Sequence, residues 1–298
     1  MPAFNEEKLI EKSISQVPTF VDYIIVVDDC STDQTNQMIL SLKETNDKIV
    51  LIKNRVNKGV GYSIKKGYSE SLRLDSDISV VMAGDAQMDP AYLPELLAPL
   101  VDGEADYTKG DRLSSNMVND MPGFRRFGNS ILSILNKLST GYWEIEDPQN
   151  GYTAINKSSL GKILQEKITD GYGNPNDFLL ALSIHDCKVK DVVIPPIYGE
   201  EVSGIKTGRF IIFTTWILIS GFFRRINKKY GGSRLHPVWF FYYFGFFSFI
   251  SGVFLSIFVL YHRFFVNNAS SNTVILTFLL LIFGFQSLLA GMFMDMRN

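Results

Sequence analysis

Cysteine is nearly absent from the 298-residue chain: Cys30 and Cys187 are the only two. That scarcity excludes a disulfide framework and a cysteine-based zinc site. Histidine is nearly as rare, and His185, His236 and His262 are too scattered to read as metal ligands, so each is expected to be structural or interfacial. Basic charge is not in excess either. A formal net charge of -2 and a pI near 6.0 speak against nucleic acid as a partner. The opening residues Met-Pro-Ala-Phe-Asn-Glu-Glu lack the apolar stretch of a secretory signal. No internal repeat or low-complexity tract occurs. Charge itself runs out along the chain. Mean hydropathy is +0.08, an average over a charged region ending near Lys229 and a nearly uncharged remainder.

That remainder holds two uncharged stretches, 238–261 of roughly 24 residues and 273–294 of roughly 22. About 20 apolar residues suffice to span hydrocarbon, so both are expected to be transmembrane helices. A shorter uncharged stretch, 210–223, runs into Arg224, Arg225, Lys228 and Lys229. It reads as an interfacial helix whose basic end meets lipid phosphates. Those cations and Arg234 precede the first span, whereas Arg263 alone lies between the spans. The positive-inside rule therefore places the N-terminal domain and the C-terminus in the cytoplasm. The sequon Asn268-Ala269-Ser270 sits too close to the spans to carry weight.

Upstream, Tyr23-Ile24-Ile25-Val26-Val27 reads as a buried parallel strand. Ser31 then reads as a helix N-cap, with Gln34 completing a capping box. A strand at 49–52, a helix over 57–72, a strand at 78–82 and a helix from Ala91 carrying Leu93, Leu96, Leu97 and Leu100 follow. This alternation argues a mostly parallel, doubly wound α/β sheet. Beyond Ala105 the pattern loosens into strands at 107–109, 152–155 and 189–194, the last stopped by Pro195-Pro196, with helices at 126–138 and 177–184.

The chemistry gathers in three acidic segments. They are Pro2-Ala3-Phe4-Asn5-Glu6, Val26-Val27-Asp28-Asp29-Cys30-Ser31-Thr32-Asp33 and Gly84-Asp85-Ala86-Gln87-Met88-Asp89-Pro90. The latter two follow β-branched runs, so their carboxylates lie at strand ends, where open α/β sheets bind ligands. Asp85 and Gln87, one residue apart, can offer two hard oxygens to Mg²⁺ or Mn²⁺. The competing reading is a turn of solvated acids ahead of a helix. Glu6 and Glu7 could equally complement a helix dipole behind an Asn5 cap. Gly59-Val60-Gly61 is a poor dinucleotide signal, because Ile64 stands where a third glycine belongs.

Taken in order, Pro2-Ala3-Phe4-Asn5-Glu6, Val27-Asp28-Asp29 with Ser31 and Asp33, Asn57-Lys58-Gly59-Val60-Gly61, and Asp85-Ala86-Gln87 resemble the family 2 glycosyltransferases of GT-A fold. Within them the chain resembles the polyprenol-phosphate glycosyltransferases, typified by dolichol-phosphate mannose synthase. The resemblance implies a Rossmann-like GT-A domain over 1–204, an interfacial segment over 205–236 and a two-helix transmembrane hairpin over 237–298. It implies a membrane-anchored inverting enzyme that moves a sugar from a UDP-glucose or GDP-mannose type donor to a dolichyl or undecaprenyl phosphate. Pro2, Phe4, Glu6, Val27, Asp29, Gly84 and Arg112 would bind the nucleotide sugar. Asp85 and Gln87 would hold Mg²⁺ or Mn²⁺, Asp85 and Asp147 would be the catalytic pair, and Lys206 would meet a donor or acceptor phosphate. Ala83 stands where relatives carry an acid, so the metal would rest on Asp85, Gln87 and donor oxygens. The family also has a strand ahead of Pro2, so the recorded start is expected to be internal to a longer reading frame. Self-association is left open. The alternatives are another lipid or glycan acceptor, or a catalytically inactive membrane scaffold. A processive synthase is disfavoured, since no Gln-x-x-Arg-Trp motif occurs and two spans cannot form a channel.

Overall fold

Short β-branched runs such as Ile24–Asp28 and Ile78–Val81 become strands, and acidic motifs follow where they stop. The computed structural model describes residues 1–114, 123–171, 173–195, 207–232, 236–266 and 269–296. These fall into two units, Met1–Phe222 and Phe223–Asn298.

In the first unit the order is β1 (Pro2–Ala3), α1 (Ile10–Ser15), β2 (Ile24–Asp28), α2 (Thr35–Thr45), β3 (Ile49–Lys53), α3 (Val60–Arg73) and β4 (Ile78–Val81). A 3-10 turn (Pro90–Tyr92) leads into α4 (Leu93–Val101), followed by β5 (Tyr107–Asp111), α5 (Gly123–Thr140), β6 (Thr153–Asn156), α6 (Lys157–Ile163), α7 (Asn174–Ile184) and β7 (Val189–Val193). Helix α8 (Thr207–Tyr230) begins in this unit and ends in the second.

Strands β1-β2-β3 form one parallel sheet, and β4-β6-β5-β7 a second, mixed one. Within the second sheet, β6 runs antiparallel to both β4 and β5, while β5 and β7 are parallel. The sheets are stitched at the carboxyl ends of β1 and β4. Gly84 N–H donates to Pro2 O at 3.1 Å, and Ser13 Oγ donates to Gly84 O at 2.9 Å. Elsewhere β2 and β4 are separated by a cavity of about 430 Å³, lined by Ile24, Ile25, Tyr68, Ile78 and Val80.

Helices α1, α2 and α3 start downstream of the sequence expectation, each because a carboxylate or amide takes the N–H groups ahead of the first turn. Helix α2 begins at Thr35, not behind Ser31, because Asp33 Oδ1 accepts the Thr35 N–H (3.0 Å) and O–H (2.6 Å). Ser31 Oγ instead accepts the Asn5 N–H at 3.0 Å. Asn5 has φ 58° and caps no helix; its side-chain oxygen accepts the Thr32 N–H at 2.8 Å, and α1 starts only at Ile10. Helix α3 starts at Val60 instead of 57, because Asp29 takes the N–H groups of Lys58 and Gly59 and Gly59 sits at φ 93°.

The Gly59-x-Gly61 pattern has a packing cause. Asp170 O accepts the Gly61 N–H at 2.8 Å, capping α3 with protein backbone in place of a phosphate. A Cβ on Gly61 would lie 2.4 Å from Thr169 O, a distance no side chain tolerates. Gly61→Ala is therefore expected to lower unfolding free energy by about 2–3 kcal/mol. Denaturant unfolding checks this, and an unchanged midpoint would refute the close approach.

The second unit contains α9 (Pro237–Phe265) and α10 (Ser271–Asp295), both long and apolar enough to cross a membrane. Small residues let them approach: Cβ atoms built on Gly245 and Gly252 would meet Leu288 and Leu281 at 2.8 and 2.9 Å. Ser248 Oγ bonds Leu280 O at 3.0 Å. Phe247, Phe254 and Phe265 point outward. Helix α8 extends past the expected 210–223, since its basic run is helix-compatible and neither Gly nor Pro falls between Phe222 and Tyr230.

Candidate active site

Four strand ends deliver the site. Strand β1 ends before Phe4, β2 before Asp29, β4 before the 84–90 loop, and β5 before Arg112. Because β6 runs antiparallel, the loop that feeds it, residues 147–152, arrives at the same edge. Thr153 pairs with both Val81 and Lys109, which places this loop beside the ends of β4 and β5. Tyr152 OH donates to Asp89 O at 3.0 Å, tying it to the 84–90 loop.

The 84–90 loop is held open as a tight turn. Asp85 Oδ1 accepts the Gln87 N–H at 3.1 Å, Ala86 adopts φ 55°, and Asp89 caps the 3-10 turn through the Ala91 N–H. Asp85 is half-buried, and burial pushes its carboxyl above the usual carboxylate range. Gln87 is exposed. Among the described residues no three His, Cys, Asp or Glu side chains converge as a metal cluster. The residue types present nonetheless suit a hard cation, with one carboxylate and one amide two residues on, the remaining positions being left to substrate phosphates.

The nucleotide-side candidates divide. Pro2 contributes its carbonyl to the stitch with Gly84, and Phe4 lies 44% exposed at the edge. Glu6 is half-buried, its N–H on Thr35 Oγ1 at 2.8 Å. The Val27 side chain is buried beneath α3, its Cγ2 3.6 Å from where a Gly67 Cβ would sit. Asp29 is also buried, and its carboxylate accepts from Asn54 Nδ2 (2.7 Å), Lys58 N (3.0 Å) and Gly59 N (2.7 Å). It braces the turn ahead of α3. Lys206 lies outside the described residues.

Arg112 and Asp147 meet. Arg112 Nε donates to Asp147 Oδ2 at 2.7 Å and Nη2 to Oδ1 at 3.3 Å, a two-point grip. Asp147 is 3% exposed, whereas the Arg112 side chain keeps 44% of its surface at the edge. The grip fixes the direction in which the guanidinium leaves the sheet edge.

Sequence reasoning missed what lies behind that pair. Lys109 is fully buried on β5, its Nζ donating to Asn150 O, and Asp191, its cross-strand neighbour on β7, accepts the Glu146 N–H at 2.8 Å. The available signal was a lysine inside the short strand expected at 107–109.

Residues 1–164 match the profile of the family described as Glycosyl transferase family 2. The chain is 30% identical over 215 residues to the UDP-N-acetylglucosamine–dolichyl-phosphate N-acetylglucosaminyltransferase of Methanococcus voltae, covering 67% of this chain and 85% of that one. It is 25% identical over 300 residues to the glycosyltransferase AglJ of Haloferax volcanii, covering 99% and 91%. Among solved structures, the mannosyltransferase PcManGT of Pyrobaculum calidifontis, in complex with GDP-Man and Mn²⁺, aligns at TM-score 0.52 and 14% identity over 79% of this chain and 64% of that one. That likeness is one of fold, of the GT-A type.

Proposed function

The chain belongs to glycosyl transferase family 2, and from that premise we propose that it moves one sugar, with inversion, from a nucleotide sugar to a polyprenyl phosphate at a membrane. What carries the proposal is the convergence at one sheet edge of the Asp85–Gln87 turn and the Arg112–Asp147 pair. The relative from Methanococcus voltae, named for a dolichyl-phosphate acceptor, supports the lipid side. So do α9 and α10, which in this reading cross the bilayer as a hairpin.

Each residue then has a task. Asp85 and Gln87 would hold a divalent cation, while Arg112 aims its guanidinium at a phosphate. Bound there, Mg²⁺ or Mn²⁺ would neutralise charge on the departing nucleoside diphosphate. Asp147 keeps Arg112 in position. A general base is dispensable, since a lipid phosphate is already anionic at neutral pH. Phe4, Glu6 and the backbone around Gly84 line the nucleotide side, and Lys206 is assigned from the sequence alone to a donor or acceptor phosphate. Residues 1–204 form the catalytic domain and 205–236 the interfacial segment. The hairpin occupies 237–298, with the catalytic domain cytoplasmic because cations crowd the flank before the first span.

The test is radiolabel transfer from UDP-glucose, UDP-N-acetylglucosamine and GDP-mannose into an organic-extractable lipid, in membranes supplied with polyprenyl phosphate. Incorporation from one donor, abolished by a chelator and restored by Mg²⁺ or Mn²⁺, is expected. No incorporation from any donor by the folded full chain would overturn the proposal in favour of a scaffold.

A further inference from the structure

We infer that Lys109 is a positioning residue that, with Asp191, grips residues 146–150 from below and so aims Arg112 at the anionic group of the substrate. This rests on the transfer proposed above, and it adds a layer beneath the site.

Strand β5 is buried along its whole length, yet its middle position carries an ammonium with no exposed surface. A buried cation is sustained only where polar partners surround it. Side chains alternate along a strand. Thr108 points toward α4, with Oγ1 on Leu96 O at 2.6 Å, so Lys109 faces the opposite side with Tyr107 and Asp111. In register, Lys109 lies directly across from Asp191 on β7 and Thr153 on β6.

The two charged neighbours hold the two ends of one short loop. Asp191 Oδ2 accepts the Glu146 N–H at 2.8 Å, and Lys109 Nζ donates to Asn150 O. Asp147 lies between those anchor points and grips Arg112. Asn150 is fixed further, its Nδ2 on Gly110 O at 2.7 Å and its Oδ1 accepting the Tyr152 N–H at 3.0 Å. The strand pair thus determines where Asp147 sits, and Asp147 determines where the guanidinium points.

The electrostatics agree. Burial lowers the Lys109 pKa to about 8, while Asp147 and Asp191 pull it upward and Arg112 pushes it down. Burial likewise raises Asp191 to about 6, offset by the Glu146 N–H and by Lys109 and reinforced by Asp111 and Asp147. Lys109 therefore offsets carboxylate charge near the loop it holds, and an apolar residue of equal length would leave buried Asp111 and Asp147 and half-buried Asp191 with one guanidinium among them. A purely structural lysine would make the same contacts but would have no particular coupling to Arg112. That difference is measurable.

The experiment is a double-mutant cycle of Lys109→Met and Arg112→Ala in the full-length chain, read in kcat/KM for transfer and in Kd for inorganic pyrophosphate with Mg²⁺. Lys109→Met alone is expected to lower kcat/KM about 10- to 100-fold, chiefly through KM, and to weaken pyrophosphate binding in parallel. In the Arg112→Ala background the same change should matter less than about threefold, because the guanidinium it aims is gone. Equal losses in both backgrounds would overturn the inference and leave Lys109 structural. Should Lys109→Met fail to fold, Lys109→Met with Asp191→Asn, which removes one charge of each sign, replaces it in the cycle with the same criteria. A wild-type chain that binds pyrophosphate but transfers no sugar would overturn the transferase reading alone, and the binding cycle would still decide the role of Lys109.

Discussion

Asp85→Ala is expected to reduce transfer about 10²- to 10³-fold while leaving the fold intact. The magnitude is that of removing one preorganised group facing charge that develops in the transition state. The variant keeps its fold because Asp85 makes one local hydrogen bond, to the Gln87 N–H, and losing such a bond typically changes stability by about 1 kcal/mol. Its burial points the same way: a half-buried carboxyl whose pKa is pushed upward is costly to keep ionised unless a cation faces it. Gln87→Ala removes a neutral oxygen from an exposed side chain and should reduce transfer about tenfold. Initial rates across a Mg²⁺ or Mn²⁺ series, beside thermal melting of the same preparations, separate chemistry from folding. Transfer by Asp85→Ala within threefold of wild type, at any metal concentration, would remove this residue from the reaction.

The carboxyl edge of the sheet is legible in the sequence because β-branched runs stop abruptly at acids, as Ile24–Asp28 does. Helix starts are less legible. Ser31 and Asn57 look like starts by local rules, but Asp33 and Asp29 reach the backbone N–H groups first and move the helices downstream. Gly59-x-Gly61 carries an ambiguous signal, since a helix N-terminus open to a phosphate and one pressed against residues 169–170 need the same small side chains. The Arg112–Asp147 pair joins residues 35 positions apart, and no local spacing rule brings them together. Lys109 is harder still. Its meaning depends on the register of β5 against β7, which only the assembled sheet supplies.

The largest stability effect is expected in the second unit, from a single change at Arg225. Asp295 is the only acidic residue from Phe223 onward. It receives Arg225 Nη1 at 2.9 Å and Nη2 at 2.5 Å, along with the Tyr230 hydroxyl at 2.7 Å. Both charged side chains are almost fully buried, at 1% and 4% exposure. The pair joins the last turns of α8 to the end of α10, and Asn227 adds a link to α9 by accepting from Trp239 Nε1 at 3.0 Å and Tyr243 OH at 2.9 Å. Desolvating two ions roughly offsets their mutual attraction, so the intact pair adds little net stability over a packed apolar pair. Removing one partner is different, because the survivor is left as an uncompensated buried charge. Arg225→Met should therefore destabilise the unit by about 3–5 kcal/mol, and Arg225→Met with Asp295→Leu should recover most of that loss. Unfolding of the single and double variants in the same detergent, followed by tryptophan fluorescence from Trp239, distinguishes the cases. A double variant as unstable as the single one would show that the hydrogen bonds to Tyr230, and not charge compensation, hold α8 to the hairpin.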